Sequence, residues 1–244
     1  DADGNRIELY TYTLDDDNNA TITGYKGNAA NLYIPETIDG YTVVEIGDKV
    51  FWKKENIESV SIPDTVTYIG KHCFEWCTAL TEVKLPANLT TLESAAFGNC
   101  PKLVKITIPK AIKTAGGEYG FGLYNYGPFF SCKNLKTVIL EDGMKTIPSM
   151  LFAKCYGLQQ IEIPESVTSI GGTAFKECTS LEAISIPDSV TSIGSHCFES
   201  CTILKEVKLS KNLTTLGSAA FGDCDELQTI SIPKTLVKAE GEYG

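Results

Sequence analysis

The chain has 244 residues, 43% of them hydrophobic, and its 31 acidic and 21 basic residues give a formal net charge of -10. This acidic balance disfavours nucleic acids and anionic membrane surfaces as partners, because both repel negative charge. No apolar run approaches the roughly 18 residues that a membrane-spanning helix needs. We therefore expect no nucleic-acid binding and no membrane insertion in this segment.

Residues 1–46 form the first predicted unit, an N-terminal β cap. The stretches "IELYTYTL" and "NLYIPETIDGYTVVEIG" alternate apolar and polar residues as half-buried strands do. The carboxylates in "DADGN" and "LDDDNNAT" could bind calcium, but neither stretch has the full loop pattern that ends in glutamate. We predict turns there, and neither a metal nor another cofactor in the chain.

Residues 47–244 form the second predicted unit, a repeat of 23 residues. Each repeat has a phenylalanine and, three residues later, a cysteine; one interval is 32 residues, and the phenylalanines are Phe74, Phe97, Phe129, Phe152, Phe175, Phe198 and Phe221. A degenerate copy with Phe51 in register precedes them. A period of this length is typical of leucine-rich repeats, which bury their apolar faces only by stacking. We predict a right-handed leucine-rich-repeat solenoid of about eight coils.

Each coil is predicted to contain two short strands and one short helical corner. In "LTEVKLP", residues 80–86, apolar and polar residues alternate, which places Val83 and Leu85 inward. A second extended piece, "VTSIG" at 167–171, precedes "GTAFKEC" at 172–178, which has the length of about one helical turn. Stacked coils would form two parallel sheets joined by these corners.

Three segments of the sequence resemble a known protein family. The chain resembles the BspA-like family of bacterial leucine-rich repeats in "IPDSVTSIGSHCFESCTILKEVKLS", "IPESVTSIGGTAFKECTSLEAISIP" and "ATITGYKGNAANLYIPETIDGYTVVEIG". The resemblance covers nearly the whole chain and implies a secreted or cell-surface protein of host-associated bacteria, with adhesion to host proteins in some members. It implies no catalytic residues. Lys54 in place of the cysteine and Ser210 in place of the repeat proline depart from the pattern.

The hexapeptide "HCFEWC", residues 72–77, resembles a zinc or redox site, and it recurs as "HCFESC" at 196–201. Cys73 and Cys77 are four residues apart, so both thiols could lie on one face of a helical turn. Zinc needs more ligands than two, and the second copy is five coils away, roughly 24 Å at about 4.8 Å per coil. Alanine takes the place of Cys73 in other coils, which favours packing in the core.

The column of cysteines could form a disulfide ladder. Equivalent side chains of stacked coils point in parallel directions, whereas a disulfide needs Cβ atoms that turn towards each other. We therefore expect free and buried thiols.

An insertion at about 115–128 interrupts the repeat with "GGEYGFGLYNYGPF". A loop rich in tyrosine and glycine has the composition of an adaptable binding surface. Its rings could equally fold back on the edge of the solenoid, with glycines that only make the turns. The tentative ligand-binding residues are Tyr119, Phe121, Tyr124 and Tyr126.

A block of five coils is duplicated. Residues 61–120 and 185–244 are identical at 40 of 60 positions. The second copy stops at "GEYG", where the first copy continues into the insertion. We expect the natural chain to continue beyond this point, and any signal or anchor to lie outside this segment.

The sequence predicts no enzyme. The only two histidines, His72 and His196, occupy equivalent places in the two copies, and no nucleophile elbow, phosphate loop or zinc-protease motif occurs. We predict a non-enzymatic adhesion module, extracellular or on the cell surface, that binds a protein or glycan. The alternatives are a structural spacer and an accessory domain of a larger surface enzyme.

Overall fold

The computed structural model describes residues 7–116 and 126–239. After a short 3-10 helix, Ile7–Leu9, every regular element in these ranges is a short strand. Successive turns of chain stack on one another, and equivalent strands pair in parallel with neighbours 23 residues away, as Ser59 does with Glu82. This architecture confirms the predicted leucine-rich-repeat solenoid.

One wall of the solenoid consists of the strands that precede the repeat proline, and we call it the proline-side sheet. Its strands are Asn31–Tyr33, Ser59–Ser61, Glu82–Lys84, Lys105–Ile108, Thr137–Leu140, Gln160–Ile161, Ala183–Ser185 and Glu206–Lys208. Hydrogen bonding divides them into groups of three, three and two. Side chains alternate between core and solvent, so Ile106 and Ile108 are buried while Lys105 and Thr107 are exposed.

The opposite wall, the glycine-side sheet, holds the strands that precede the repeat glycine or the residue that replaces it. They are Ala20–Tyr25, Tyr41–Ile46, Tyr68–Ile69, Thr91–Leu92, Thr114–Ala115, Thr146–Ile147, Ser169–Ile170, Ser192–Ile193, Thr215–Leu216 and Lys238–Ala239. The glycine permits close stacking of coils, because a Cβ on Gly194 would collide with the backbone at Gly172. This sheet is split between Ala115 and Thr146, at the coil that carries the insertion.

The corners are turns, and the predicted short helices are wrong in this detail. In seven of the eight described phenylalanine corners, the residues two before and two after the phenylalanine have positive φ, as His72 (55°) and Trp76 (63°) do around Phe74. An α-helix needs negative φ throughout, so this alternation cannot continue a helical ladder. Instead, alternate N–H groups donate to the next coil, as those of His72, Phe74 and Trp76 do to the carbonyls of Ser94, Ala96 and Gly98.

A column of aromatic rings fills the core behind the corners. The rings of Phe51, Phe74 and Phe97 stack with centroids 4.7 and 5.0 Å apart, and the stack continues through Phe221. Its first seven phenylalanines are fully buried. Each ring therefore contacts the rings above and below, which couples the stability of neighbouring coils.

At the N-terminal end, Tyr10–Leu14 pairs antiparallel with Ala20–Tyr25, and Thr37–Ile38 with Tyr41–Ile46. The ring centroid of Tyr25 lies 5.3 Å from that of Phe51 and 4.9 Å from that of Tyr10, so two tyrosines extend the phenylalanine column. Asn31–Tyr33 already pairs with Ser59–Ser61. The division of the chain at residue 46 stays a prediction.

Candidate functional site

The corners present a surface that we call the corner edge. It consists of the two residues that follow each core phenylalanine and of the residue after each column cysteine. Because the corner backbone is held by hydrogen bonds to both neighbouring coils, these side chains project from fixed positions. The repeat does not determine their chemistry, since the residue directly after the phenylalanine ranges from Gly98 through Glu75 to Trp52.

Of the four residues that the sequence proposes as ligand-binding, the structure describes one. Tyr119, Phe121 and Tyr124 lie outside the described residues, and Tyr126 directly follows the gap. The Tyr126 ring packs on Phe130, with centroids 4.1 Å apart, and the Lys154 ammonium lies 5.6 Å from its centroid. Its main-chain oxygen accepts a hydrogen bond from the buried hydroxyl of Ser94 at 3.0 Å.

Two further aromatic residues adjoin Tyr126, and the sequence reasoning did not select them. The Tyr156 ring meets the edge of Phe130 at a centroid distance of 6.3 Å, so Tyr126, Phe130 and Tyr156 form one half-buried group, the aromatic cluster. The sequence signal for Phe130 and Tyr156 is an aromatic residue on the corner edge, directly after Phe129 and Cys155, where the repeat does not require an aromatic side chain.

Charged groups surround the aromatic cluster. Burial raises the pKa of Tyr156, and the negative charge of Glu177 adds to the effect. The Lys154 ammonium is 3.4 Å from Glu177, so the cation is fixed beside the rings. The cluster thus combines flat apolar area with hydroxyl and ammonium donors, which is the composition of protein-interface anchors.

The hexapeptide at 72–77 contributes to packing. Cys73 and Cys77 are buried and free, and burial raises the pKa of both thiols, to about 12 for Cys77. Neutral buried thiols are poor nucleophiles and poor metal ligands. The imidazole of His72 contacts Glu75 at 3.1 Å instead of a thiol. Within the described ranges, no group of three or more His, Cys, Asp or Glu side chains is placed to hold a metal.

The cysteine column has a structural role. All nine cysteines lie within the described residues, all are free, and eight are buried, as the parallel stacking predicts. Most column thiols donate to the carbonyl of the phenylalanine one coil earlier, as Cys77 does to Phe51 at 3.3 Å and Cys132 to Phe97 at 3.0 Å. The thiol therefore supplies a buried carbonyl with a donor in the core.

The proline-side sheet carries a second surface feature, a shallow cleft of about 370 Å³ lined by residues 138–140 and 162–165. Ile139 is exposed there, and Glu162 and Glu165 lie opposite it. Pairing between these strands stops after Val138 and Ile161, which opens the cleft.

The Asp-rich stretch at 14–21 forms a turn. The Asp15 carboxylate accepts hydrogen bonds from the N–H groups of Asp17 and Asn19 and from the Asn19 amide, and these bonds lower its pKa. The oxygens that would ligate a cation are thus engaged with the turn itself. In the residues that the structure describes, no helix has the length and apolar character needed to cross a bilayer.

Comparisons of sequence and of structure both match this chain to leucine-rich-repeat proteins. The BspA type leucine rich repeat region matches residues 44–126 and 123–242, in six copies. The crystal structure of a leucine rich repeat protein from T. pallidum is 27% identical in sequence, with a TM-score of 0.62, and the alignment covers 91% of this chain and 90% of that one. No curated protein matches the chain.

Two further solved structures are similar at lower TM-scores. A leucine rich cell surface protein from Faecalibacterium prausnitzii is 26% identical (TM-score 0.42), over 95% of this chain and 83% of its own. A leucine-rich repeat protein from Bacteroides capillosus is 31% identical (TM-score 0.46), over 56% of this chain and 97% of its own.

Proposed function

The chain belongs to the family of BspA-type leucine-rich-repeat proteins, and we propose that it is a non-enzymatic module that binds a protein partner outside the cell. Leucine-rich-repeat solenoids present extended surfaces on which partners dock. The family resemblance supports a place at the cell surface or in the secreted fraction, and a role in adhesion.

The observation that carries this proposal is the aromatic cluster, in which Tyr126 adjoins two residues of the corner edge. Tyr126, Phe130 and Tyr156 are half-buried on a backbone that hydrogen bonds hold in place, with Lys154 beside them. Aromatic rings that are already ordered lose little conformational entropy when a partner covers them. The predicted contact residues Tyr119, Phe121 and Tyr124 precede this cluster in the chain and belong to the same proposal.

The test is a panel of immobilised extracellular-matrix and plasma proteins, with a glycan array beside it, probed with the 244-residue chain. We expect at least one protein to bind, and Tyr126→Ala to weaken that binding at least tenfold with little change in melting temperature. Tyr126→Phe keeps the stacked ring and is expected to bind within threefold of the wild type. Tyr33→Ala is the matched control, because Tyr33 is an exposed tyrosine on the proline-side sheet.

The panel also distinguishes the alternatives. Binding to glycans alone would replace the protein partner by a carbohydrate. Binding to no member would contradict the proposed function and favour the structural spacer. A Tyr126→Ala variant that loses stability and keeps its binding would assign Tyr126 to packing on the solenoid edge.

A further inference from the structure

The chain has two tryptophans, and both are on the surface. Trp52 is 42% exposed and Trp76 is 43% exposed. Trp52 directly follows Phe51, and Trp76 is two residues after Phe74, in the next coil. Because the rings of Phe51 and Phe74 stack 4.7 Å apart, the two indoles leave the corner edge from adjacent coils. We call them the tryptophan pair.

Folding does not require these indoles. The position of Trp76 has positive φ (63°), as it does in all eight described corners, and the other coils place there Lys53, Asn99, Ser131, Lys154, Glu177, Ser200 and Asp223. Positive φ is tolerated by asparagine and aspartate and is unfavourable for a bulky side chain. No other described corner has an aromatic residue at this position, so the repeat backbone does not require the indole.

Hydrogen bonds hold the Trp52 indole in one arrangement. The indole N–H of Trp52 donates to Oε2 of Glu75 at 3.2 Å, and the Asn99 amide donates to Oε1 of the same carboxylate at 3.1 Å. His72 contacts this carboxylate as well, and the Glu75 side chain is only 14% exposed. The Trp52 ring is therefore oriented before any partner arrives, which reduces the entropic cost of binding.

Positive charge flanks the indoles, although the chain as a whole is acidic. The segment 49–54 reads "KVFWKK" and contains no acidic residue. Lys49 and Lys53 are exposed, and the Lys53 ammonium lies 4.3 Å from the centroid of the Trp52 ring. The Asp48 carboxylate nearby accepts the N–H of Lys71 at 2.7 Å. Lys49 and Lys53 are therefore exposed cationic side chains in the coil of Trp52, and the acidic residues Asp48 and Glu55 border this segment.

We propose that the tryptophan pair, with Lys49 and Lys53, is a separate contact surface for an acidic segment of a protein partner. A large apolar side chain of that segment would pack on the indoles, and its carboxylates would meet the two ammonium groups. This proposal rests on the proposed function in that the partner is a protein, but it does not depend on the aromatic cluster.

The second copy of the duplicated block provides an internal control. At the offset of 124 residues Ser200 takes the place of Trp76, and Lys176 takes that of Trp52 in the coil that precedes the matched residues 61–120 and 185–244. The Lys176 ammonium pairs with Glu199, the counterpart of Glu75. The same corner scaffold thus exists in the chain without indoles, and the substitutions Trp52→Lys and Trp76→Ser are ones that this scaffold accommodates.

The experiment uses a phage-displayed library of random twelve-residue peptides. The library is first depleted on the Trp52→Lys/Trp76→Ser double variant and then enriched on the wild-type chain. We expect the recovered peptides to contain a large apolar residue with at least two acidic residues. Their synthetic forms should bind at least tenfold more weakly to the double variant and to Lys53→Glu, and unchanged to Lys176→Ala.

Tryptophan fluorescence reports on the same event, because these two indoles are the only ones in the chain. Titration of a recovered peptide should shift the emission to shorter wavelength, and raising the salt from 50 to 500 mM should weaken binding. The variants must melt within a few degrees of the wild type.

Three results would overturn the proposal: no enrichment, recovery of peptides without acidic residues, or binding that ignores the double variant. The proposed function would still hold in each of these cases if a protein of the panel binds the wild-type chain and binds Tyr126→Ala more weakly. If both experiments fail, the protein-binding function itself is wrong.

Discussion

The two copies of the duplicated block share one scaffold and have different corner edges. Glu75 in the first copy accepts hydrogen bonds from neutral donors, the Trp52 indole and the Asn99 amide. Its counterpart Glu199 pairs with the Lys176 ammonium. The histidine beside each carboxylate, His72 or His196, is retained. Inward positions are therefore constrained by stacking, whereas outward positions next to them can change from aromatic to ionic without altering the coil.

Burial also differs between the copies at identical residues. Ile108 is fully buried, but Ile232, its counterpart, is 53% exposed. The coil that contains Ile108 is covered by Thr137–Leu140, and no described strand covers Ile232. The burial of a repeat residue thus depends on the neighbouring coil, because one coil cannot enclose its own apolar face.

Removing a core phenylalanine from either copy should cause the greatest loss of stability, and comparing the two losses tests whether the copies share one core. Phe74→Ala and Phe198→Ala should each lower the free energy of unfolding by about 3–5 kcal/mol, because each removes a buried ring and leaves a cavity. The rings have similar surroundings, with neighbouring centroids 4.7 and 5.0 Å from Phe74 and 5.1 and 5.2 Å from Phe198. Urea unfolding followed by circular dichroism measures both. A loss at Phe198 below half that at Phe74 would show that the second copy is less firmly coupled to the solenoid.

A smaller change in stability is expected from exchanging residues between the copies at the position two residues after the phenylalanine, where φ is positive. Trp76→Asn should stabilise the chain by about 1 kcal/mol, and Ser200→Trp should destabilise it by a similar amount, since a bulky side chain is disfavoured there. Chemical denaturation of both variants measures the change. If Trp76→Asn destabilises the fold, the indole packs productively on the scaffold and the copies differ in stability as well as surface.

The smallest change in stability is expected when the carboxylate of Glu75 or Glu199 is neutralised. Glu199→Gln removes a partly exposed ion pair with Lys176 and should cost at most about 1 kcal/mol, less in 1 M NaCl because salt screens the pair. Glu75→Gln loses contacts to neutral donors, so its cost should not change with salt. A histidine lies beside the carboxylate in both copies, 3.1 Å from Glu75 and 3.0 Å from Glu199. Equal salt dependence in the two variants would contradict the distinction between a neutral and an ionic edge.

The candidate site was only partly predictable. The Tyr-rich insertion directed attention to Tyr126, which the structure places in a cluster with Phe130 and Tyr156. Those two residues are 26 positions apart, and no local pattern joins them; the stacking of coils does. Trp52 and Trp76 were likewise unconnected in the sequence until adjacent corners brought them to one surface.

The solenoid, its period and its core follow from the order of the residues alone, because the phenylalanine and cysteine columns repeat at intervals that only stacked coils can satisfy. The form of the corners and the grouping of surface side chains depend on contacts between coils. The positive φ values at His72 and Trp76 follow from hydrogen bonds to the next coil, and local propensity alone favoured a helical turn. Contacts between coils join residues 22 or more positions apart, so their chemistry becomes visible only when the coils are stacked.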